Sequence, residues 1–270
     1  MKIPFEKMHG IGNDFILINK DNIPDHINLN RLAAEVCHRH FGIGADGLMV
    51  AEKSLIAESR MLYFNSDGSQ GEMCGNGVRC FARFILDRRN ADPREITVET
   101  TAGVLSMKIS TLNDFESLVE VNMGRPEIFE LNNKLEINEQ EICYHYVVLG
   151  VPHVVIFHEL LHRETVETLG PAIEKHPHFP EGTNVNFVKI INRQQVQLMT
   201  WERGAGHTLA CGTGISSAVF VAQKLGMVGD HTQVQAEGGR LLISCQPNGV
   251  VQMTGSAQDI CVGEYIVNWT

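Results

Sequence analysis

A chain of 270 residues, 43% hydrophobic and 20% charged, has enough apolar material for one large core or two ordinary ones and lacks the composition of a disordered polymer. Its formal net charge of −10 argues against a nucleic-acid partner, because a phosphate backbone calls for a basic face. No apolar run approaches the ~20 residues of a membrane span, and the opening MKIPFEKMHGIGND has no signal-peptide core, so the expected location is the cytoplasm, with no membrane partner.

In chain order, the apolar stretch Phe15–Ile18 reads as a strand, and Asn30 is placed to cap a helix running through Leu32, Val36 and His40. Leu48–Val50 and Met61–Phe64 read as strands. A helix is expected to start near Gly75 and pass through Val78, Phe81, Ala82 and Ile85. Strands follow at Ile96–Thr100, Val104–Ile109 and Leu118–Val121. The second half repeats this plan, with strands near Tyr144–Leu149, Val154–Phe157, Asn186–Ile191 and Gln195–Trp201. A second helix begins near Gly212 and continues through Ala218, Val219 and Ala222. Strands at Gln233–Ala236, Arg240–Cys245 and Val250–Met253 complete the pattern.

The likeness of the halves extends to short motifs. Cys74-Gly-Asn-Gly-Val and Cys211-Gly-Thr-Gly-Ile lie 137 residues apart. His40-Phe41 with Gly44 and Asp46 matches His178-Phe179 with Gly182 and Asn184. Gly10 with Asn13 matches Gly150 with His153, Ala102-Gly103 with Leu105 matches Gly238-Gly239 with Leu241, and Met123-Gly124 matches Thr254-Gly255. Five matches in one order point to an internal duplication. Both helices are apolar on most sides, as buried helices are. The expected fold is α+β, two pseudo-symmetric lobes, each a curved and mostly antiparallel sheet wrapped around a central helix. The N-terminal lobe is expected over 1–125 and carries Cys74. The C-terminal lobe is expected over 126–270 and carries Cys211, with its last strands free to cross back to the first lobe. The active site is expected between them, where clefts carry function.

Each motif cysteine directly precedes a glycine-rich helix start. The first N–H groups of a helix lack partners, and the helix dipole adds positive character there. The N–H groups of Gly75, Asn76, Gly212 and Thr213 therefore suit a substrate carboxylate. A thiol at the same place is expected to have a lowered pKa. Two such thiols facing one α-carbon suit epimerisation: one thiolate removes the α-proton and the other thiol protonates the opposite face. The oriented N–H groups would stabilise the charge that develops.

The other five cysteines, Cys37, Cys80, Cys143, Cys245 and Cys261, read as small buried hydrophobes. An odd count of seven in a cytosolic chain argues against a disulfide framework. No CxxC pair occurs, so no metal site is expected; His162, His176 and His178 read as surface residues. Gly42-Ile-Gly-Ala-Asp-Gly47 fits G-x-G-x-x-G literally, but a helix precedes it and a strand follows, the reverse of a dinucleotide fingerprint. Glu202 reads either as a structural ion pair or as a functional group. Function is preferred because Glu202 and Asn65 each stand nine residues before their lobe's cysteine.

Longer motifs resemble the diaminopimelate epimerase family: Lys7-Met-His-Gly-Ile-Gly-Asn-Asp-Phe15, His40-Phe-Gly-Ile-Gly-Ala-Asp-Gly47, Phe64-Asn-Ser-Asp-Gly-Ser69, Met73-Cys-Gly-Asn-Gly-Val-Arg-Cys-Phe-Ala82, Trp201-Glu-Arg-Gly-Ala-Gly206 and Leu209-Ala-Cys-Gly-Thr-Gly214. The resemblance runs nearly end to end. It implies an enzyme without pyridoxal phosphate or any other cofactor, a homodimer, and interconversion of LL- and meso-diaminopimelate for lysine and peptidoglycan synthesis. It implies that Cys74 and Cys211 are the paired base and acid, and that His153 and Glu202 help set thiol protonation and hold the reacting amino group. Asn13 matches a substrate contact near the reacting centre. Asn65, Asn184 and Arg203 match contacts to the distal centre, and a guanidinium fork suits a carboxylate there. Gly75, Asn76, Gly212 and Thr213 match the backbone anion sites.

Two positions depart from the family pattern. Val151 stands where the family has an asparagine that contacts the distal end of the substrate, and His207 stands where it has glutamate. A lost polar contact costs ~1–3 kcal/mol if a substrate group stays unpaired. Two alternatives to the epimerase follow. One is a racemase of another amino acid, such as histidine, on the same scaffold. The other is a non-catalytic amino-acid binding protein, against which the two intact cysteine motifs count.

Overall fold

The computed structural model describes residues 1–71, 74–89, 95–137 and 139–268. Met73 of the first cysteine motif lies outside the described residues. The chain divides into two compact units, Met1–Val121 with Gly255–Thr270, and Asn122–Thr254.

The first unit opens with β1 (Lys2–Gly10) and β2 (Asn13–Asn19), followed by α1 (Leu29–Cys37), β3 (Gly47–Glu52), β4 (Ser59–Asn65) and the short β5 (Gln70–Gly71). Next come α2 (Gly75–Arg89), β6 (Glu95–Thr100), β7 (Gly103–Asn113) and β8 (Glu116–Gly124), whose last residues belong to the second unit. The second unit continues with β9 (Glu127–Ile137), β10 (Gln140–Leu149), β11 (Val151–Phe157), α3 (Arg163–Glu174), β12 (Asn184–Asn192), β13 (Gln195–Glu202) and β14 (Gly206–Thr208). It ends with α4 (Gly212–Lys224), β15 (His231–Ala236), β16 (Gly239–Cys245) and the start of β17 (Val251–Ile266). The rest of β17 returns to the first unit, where it pairs antiparallel with β1.

The strand pairings expose the duplication directly. In the first unit β1–β2 is antiparallel, β2–β3 parallel, β3–β4 and β4–β5 antiparallel, β4–β6 parallel, and β6–β7 antiparallel. In the second, β10–β11 is antiparallel, β11–β12 parallel, β12–β13 and β13–β14 antiparallel, β13–β15 parallel, and β15–β16 antiparallel. The senses and their order are the same, and α1 and α2 stand in the chain where α3 and α4 do. The fold is α+β with two pseudo-symmetric halves.

In each unit the second helix is the central one. α2 packs against β1, β2 and β3, and α4 against β10, β11 and β12. Val78, Phe81 and Phe84 of α2, and Ile215, Val219 and Val221 of α4, are fully buried. Burying a side chain of this kind contributes ~1.5–3 kcal/mol, so helix and sheet hold each other in place. A second core layer fills the outer side of each sheet. Leu32, Val36 and Leu48 belong to it in the first unit, and Val166, Ile173 and Phe187 in the second.

The register corrects two of the motif matches, that of Gly10 and Asn13 with Gly150 and His153 and that of Asp46 with Asn184. The first hairpin turns through two residues, Ile11 and Gly12, both at positive φ (50° and 86°). The second turns through Gly150 alone (φ 73°), with Leu149 opposite Val151. In the parallel pairs Phe15 lies opposite Gly47, and His153 opposite Asn184. With Gly47 and Asn184 at matching places, His153 is the counterpart of Phe15, and Asn13 is the counterpart of Val151. The unequal turns shift the alignment taken from Gly10 and Gly150.

Other local expectations are corrected. Asn28, not Asn30, caps α1 by accepting from Arg31 N–H, while Asn30 donates to the Gly68 carbonyl. The helix stops at Cys37, because His38 is already extended. Cys37, Cys80 and Cys245 are buried, but Cys143 and Cys261 are exposed, on polar stretches of β10 and β17. Among the described residues, no helix is long and apolar enough to cross a membrane.

Candidate active site

The first unit gathers a group of candidate residues where β2 and the start of α2 meet. Cys74 precedes α2, and its carbonyl accepts from Val78 N–H as the first helical bond. The Cys74 thiol donates to Asn13 Oδ1 at 3.5 Å, and Asn76 Nδ2 lies 3.5 Å from the same oxygen. Asn13 is held from behind: its Nδ2 donates to Asp46 Oδ2 at 2.6 Å. A carboxylate only accepts, so this bond decides which end of the amide faces the thiol.

Asp46 is itself fixed by Arg39, whose Nη2 donates to Asp46 Oδ1 at 2.6 Å and to Asp14 Oδ1 at 2.9 Å. Lys7 sits 3.0 Å from Asp14 Oδ2. Burial alone would raise the Asp14 pKa, but hydrogen bonds from Arg39 and Lys7 outweigh it and hold the carboxyl below its usual range. Arg79 is fully buried in α2 and donates to the carbonyls of Ser256 and Gly75 and to Asn76 Oδ1 at 3.1–3.2 Å. It thereby ties the first turn of the helix to β17. Removal from water pushes its pKa down to about 10. Asn65 turns its amide to Ser69 Oγ at 2.9 Å.

The second unit gathers its candidate residues at the corresponding place in its own sheet and helix. Cys211 is the N-cap of α4 and is 7% exposed. Its sulfur lies 3.4 Å from Thr213 Oγ1, and the Gly214 N–H reaches it. Glu202, at the end of β13, lies close enough for its charge to act on the thiol, and accepts from Thr208 Oγ1 at 2.5 Å.

Burial first, and then the Glu202 charge, raise the Cys211 pKa well above its ordinary value, and Thr213 and Gly214 do not offset them. This corrects the expectation from the helix start. Half a dipole charge does not compensate for desolvation beside a carboxylate. Burial raises the Glu202 pKa too, against the hydrogen bonds from Thr208 and Cys211. Cys211 is therefore a neutral thiol near neutral pH.

His153 is fully buried on β11, and burial followed by the Arg203 charge pushes its pKa down to about 3. Its Nδ1 lies 3.3 Å from Asn186 Nδ2. Asn184 Nδ2 donates to the Pro152 carbonyl at 2.9 Å, and Asn184 Oδ1 accepts from Arg203 N–H at 3.0 Å. Arg203 is exposed, and its guanidinium reaches the Glu181 carbonyl at 2.8 Å. Gly212 and Thr213 form the first turn of α4. His207 engages Glu237 at 2.5 Å, with 8% of its side chain exposed.

The structure thus gathers Asn13, Cys74, Gly75 and Asn76 in one unit, and His153, Asn184, Glu202, Arg203, Cys211, Gly212 and Thr213 in the other. Asn65 is the one expected site residue turned to a neighbour of its own loop. Sequence reasoning passed over Asp46, Asn186 and Thr208. Asp46 was visible inside the quoted glycine-rich motif. Asn186 was visible only as the next inward-facing position after Asn184 on a strand. Among the described residues no group of His, Cys, Asp or Glu could hold a metal ion.

A family model described as diaminopimelate epimerase matches residues 5–129 and 145–260. A diaminopimelate epimerase of Alkaliphilus metalliredigens is 48% identical over 278 residues, covering 98% of each chain. That of Clostridium perfringens is 40% identical over 274 residues, covering 97% of this chain and 99% of the relative. Among solved structures, a hydroxyproline epimerase from Agrobacterium vitis with bound trans-4-hydroxy-L-proline superposes with a TM-score of 0.74 at 16% identity, over 99% of this chain and 93% of that one. A Bacillus anthracis phenazine biosynthesis protein of the PhzF family gives 0.77 at 14% identity, over 99% and 100%. At such identities these last two likenesses speak for the fold.

Proposed function

The chain belongs to the diaminopimelate epimerase family, and we infer from that membership that it is an isomerase that interconverts LL- and meso-diaminopimelate without a cofactor. Cys74 and Cys211 are the acid–base pair in this reading. One sulfur, as thiolate, takes the α-proton, and the other delivers its own proton to the opposite face. The first ends as a thiol and the second as a thiolate, so the reverse reaction uses the same pair with roles exchanged.

The observation that carries the reading is the buried Cys211 thiol at the start of α4, where burial and the nearby Glu202 charge hold its proton on. A structural cysteine does not need a carboxylate of raised pKa beside it. Burial beside Glu202 keeps the proton on Cys211 near neutral pH, the state a resting acid requires. Neutral Cys211 is the resting acid. The N–H groups of Gly75, Asn76, Gly212 and Thr213 receive the α-carboxylate, which gains charge as the carbanion forms. Asn13 holds the reacting centre, and Asn65, Asn184 and Arg203 hold the distal amino-acid end. A homodimer in the cytoplasm belongs to the same reading. Exposed Phe115, Leu118, Ile260 and Val262 offer apolar surface for a second copy.

The His207 ring is engaged by Glu237, so only Val151 still speaks for another substrate. Incubating the purified protein in D2O with LL-diaminopimelate and with a panel of other amino acids separates the possibilities. Deuterium at Cα of diaminopimelate is the expected result. Deuterium only in another amino acid would make the chain a racemase, and tight binding with no exchange anywhere would make it a binding protein.

A further inference from the structure

The side chain of Asn186, on β12, is fixed from three sides. Its Nδ2 donates to the Val154 carbonyl at 3.1 Å, and its Oδ1 accepts from Thr200 Oγ1 at 3.3 Å. On the third side lies the first turn of α4: a Cβ at Gly214 would stand 2.2 Å from Asn186 Oδ1. The Val154 carbonyl can only accept, so the amide has one orientation. The other N–H of that amide points at His153 Nδ1, 3.3 Å away. Facing a donor, Nδ1 must present its lone pair, and the single proton of the neutral ring then sits on Nε2. Nε2 is buried and has no hydrogen-bond partner among the described residues. An unpaired donor in such a place is costly, and it is retained where an acceptor arrives with the ligand.

We propose that Asn186 is a positioning residue that locks His153 as the Nε2–H tautomer, so that His153 meets bound substrate as a hydrogen-bond donor to an anionic acceptor and not as a proton acceptor. The role rests on the epimerase reading; the tautomer stands on the geometry alone. It also accords with the pKa of about 3, which keeps the ring neutral at any working pH.

Long-range 15N–1H NMR of histidine-labelled protein without substrate reads the tautomer. The expected result is a neutral Nε2–H ring for His153, unchanged from pH 5.5 to pH 8, a window about one unit either side of an ordinary histidine pKa. In Asn186→Asp, a carboxylate would accept from Nδ1, and the signal should move to Nδ1–H or to the cation. A wild-type ring protonated on Nδ1, or an unmoved tautomer in a folded Asn186→Asp protein, would overturn the inference. A second variant covers the case in which Asn186→Asp does not fold. Glutamine places an amide N–H near the position of Nε2 but cannot take up a proton at neutral pH. His153→Gln should lose about tenfold in kcat with the pH profile in place, whereas His153→Leu should lose at least about 10²-fold. A glutamine variant as inactive as the leucine variant would contradict the donor role. A wild-type protein that exchanges nothing into diaminopimelate would instead refute the epimerase reading and, with it, the donor role, and the tautomer would still be decided by NMR.

Discussion

Nine residues before its cysteine the first unit has Asn65, and the second has Glu202. Around these positions the strand pairings, the helix start and the glycines correspond one for one, yet the two thiols meet different partners. Cys74 donates to a carboxamide that is itself held by Asp46. Cys211 is buried beside a carboxylate whose charge raises the thiol pKa and whose own pKa burial raises. Duplication supplied two equal places for a thiol, and the side chains that differ between the halves set what each thiol does. An epimerase needs such an inequality, because one sulfur must give a proton while the other takes one; Cys74 can act as the base only after losing the proton it donates to Asn13 Oδ1.

The largest effect that could break the comparison is loss of either sulfur. Cys74→Ser and Cys211→Ser should each lower kcat by about 10²–10⁴-fold, because a serine hydroxyl is far too weak an acid to exchange roles with a thiolate. Full turnover by either variant, measured by polarimetry, would mean that only one unit does chemistry.

Glu202→Gln sharpens the comparison by making the second unit resemble the first. Turnover should fall about 10²-fold. The Cys211 pKa should also drop, since the Glu202 charge is one cause of its rise. Alkylation of Cys211 at a fixed pH near 8 should then become faster than in the wild type, which a stopped-time mass measurement would show. Unchanged alkylation would remove Glu202 from the account of that thiol.

Alkaline pH tests the other thiols, which belong to the scaffold. Burial pushes Cys37 and Cys80 up to about 12 and Cys245 to about 11, from 9.0. The folded state keeps these protons when the unfolded chain releases them, so their contribution is fully present below pH 9 and declines as pH climbs towards 11–12. Melting temperatures should fall over that range, and Cys80→Ala should flatten the fall while lowering stability at pH 7 by about 1–2 kcal/mol. A melting temperature independent of pH from 9 to 11 would contradict the burial argument.

Smaller effects come from supporting positions. Asp46→Ala frees the Asn13 amide to turn over and should cost about tenfold in kcat with little change in stability. Val151→Asn, which restores the residue usual in the family, should lower KM by about threefold to tenfold and leave kcat alone. A raised KM would show that the apolar side chain packs where it stands.

The central helices and the sheet strands around them were legible because their patterns are strong. The run Ala218–Ala222 is continuously apolar, as are the strands Leu48–Val50 and Phe15–Ile18. The elements that escaped carry mixed signals. Residues Arg163–Glu174 form a helix despite Gly170 and Pro171. At Gly170 a Cβ would lie 2.5 Å from the Trp201 ring, so the glycine answers a tertiary contact that no local pattern reveals. Strands Glu127–Ile137 and the late part of Val251–Ile266 are polar and largely exposed, and they exist because partner strands hold them.

At the site, the two cysteines, the glycines and Glu202 were visible from repetition and spacing. The sign of the Cys211 shift was not, because it depends on burial and on a carboxylate brought close by the fold. The pairing of His153 with Asn186, 33 residues apart, was likewise hidden, since it depends on the parallel register of their two strands.

The most direct test of two sulfurs working from opposite faces is the fate of hydrogen at early conversion. LL-Diaminopimelate is turned over in D2O, and product and unreacted substrate are each analysed by mass and NMR before a tenth has reacted. Because one sulfur keeps the removed proton and the other delivers a solvent-derived deuteron, the meso product should carry deuterium at Cα while recovered substrate carries almost none. Equal label in both, or protium carried from substrate into product, would mean that a single base serves both faces and would contradict the account.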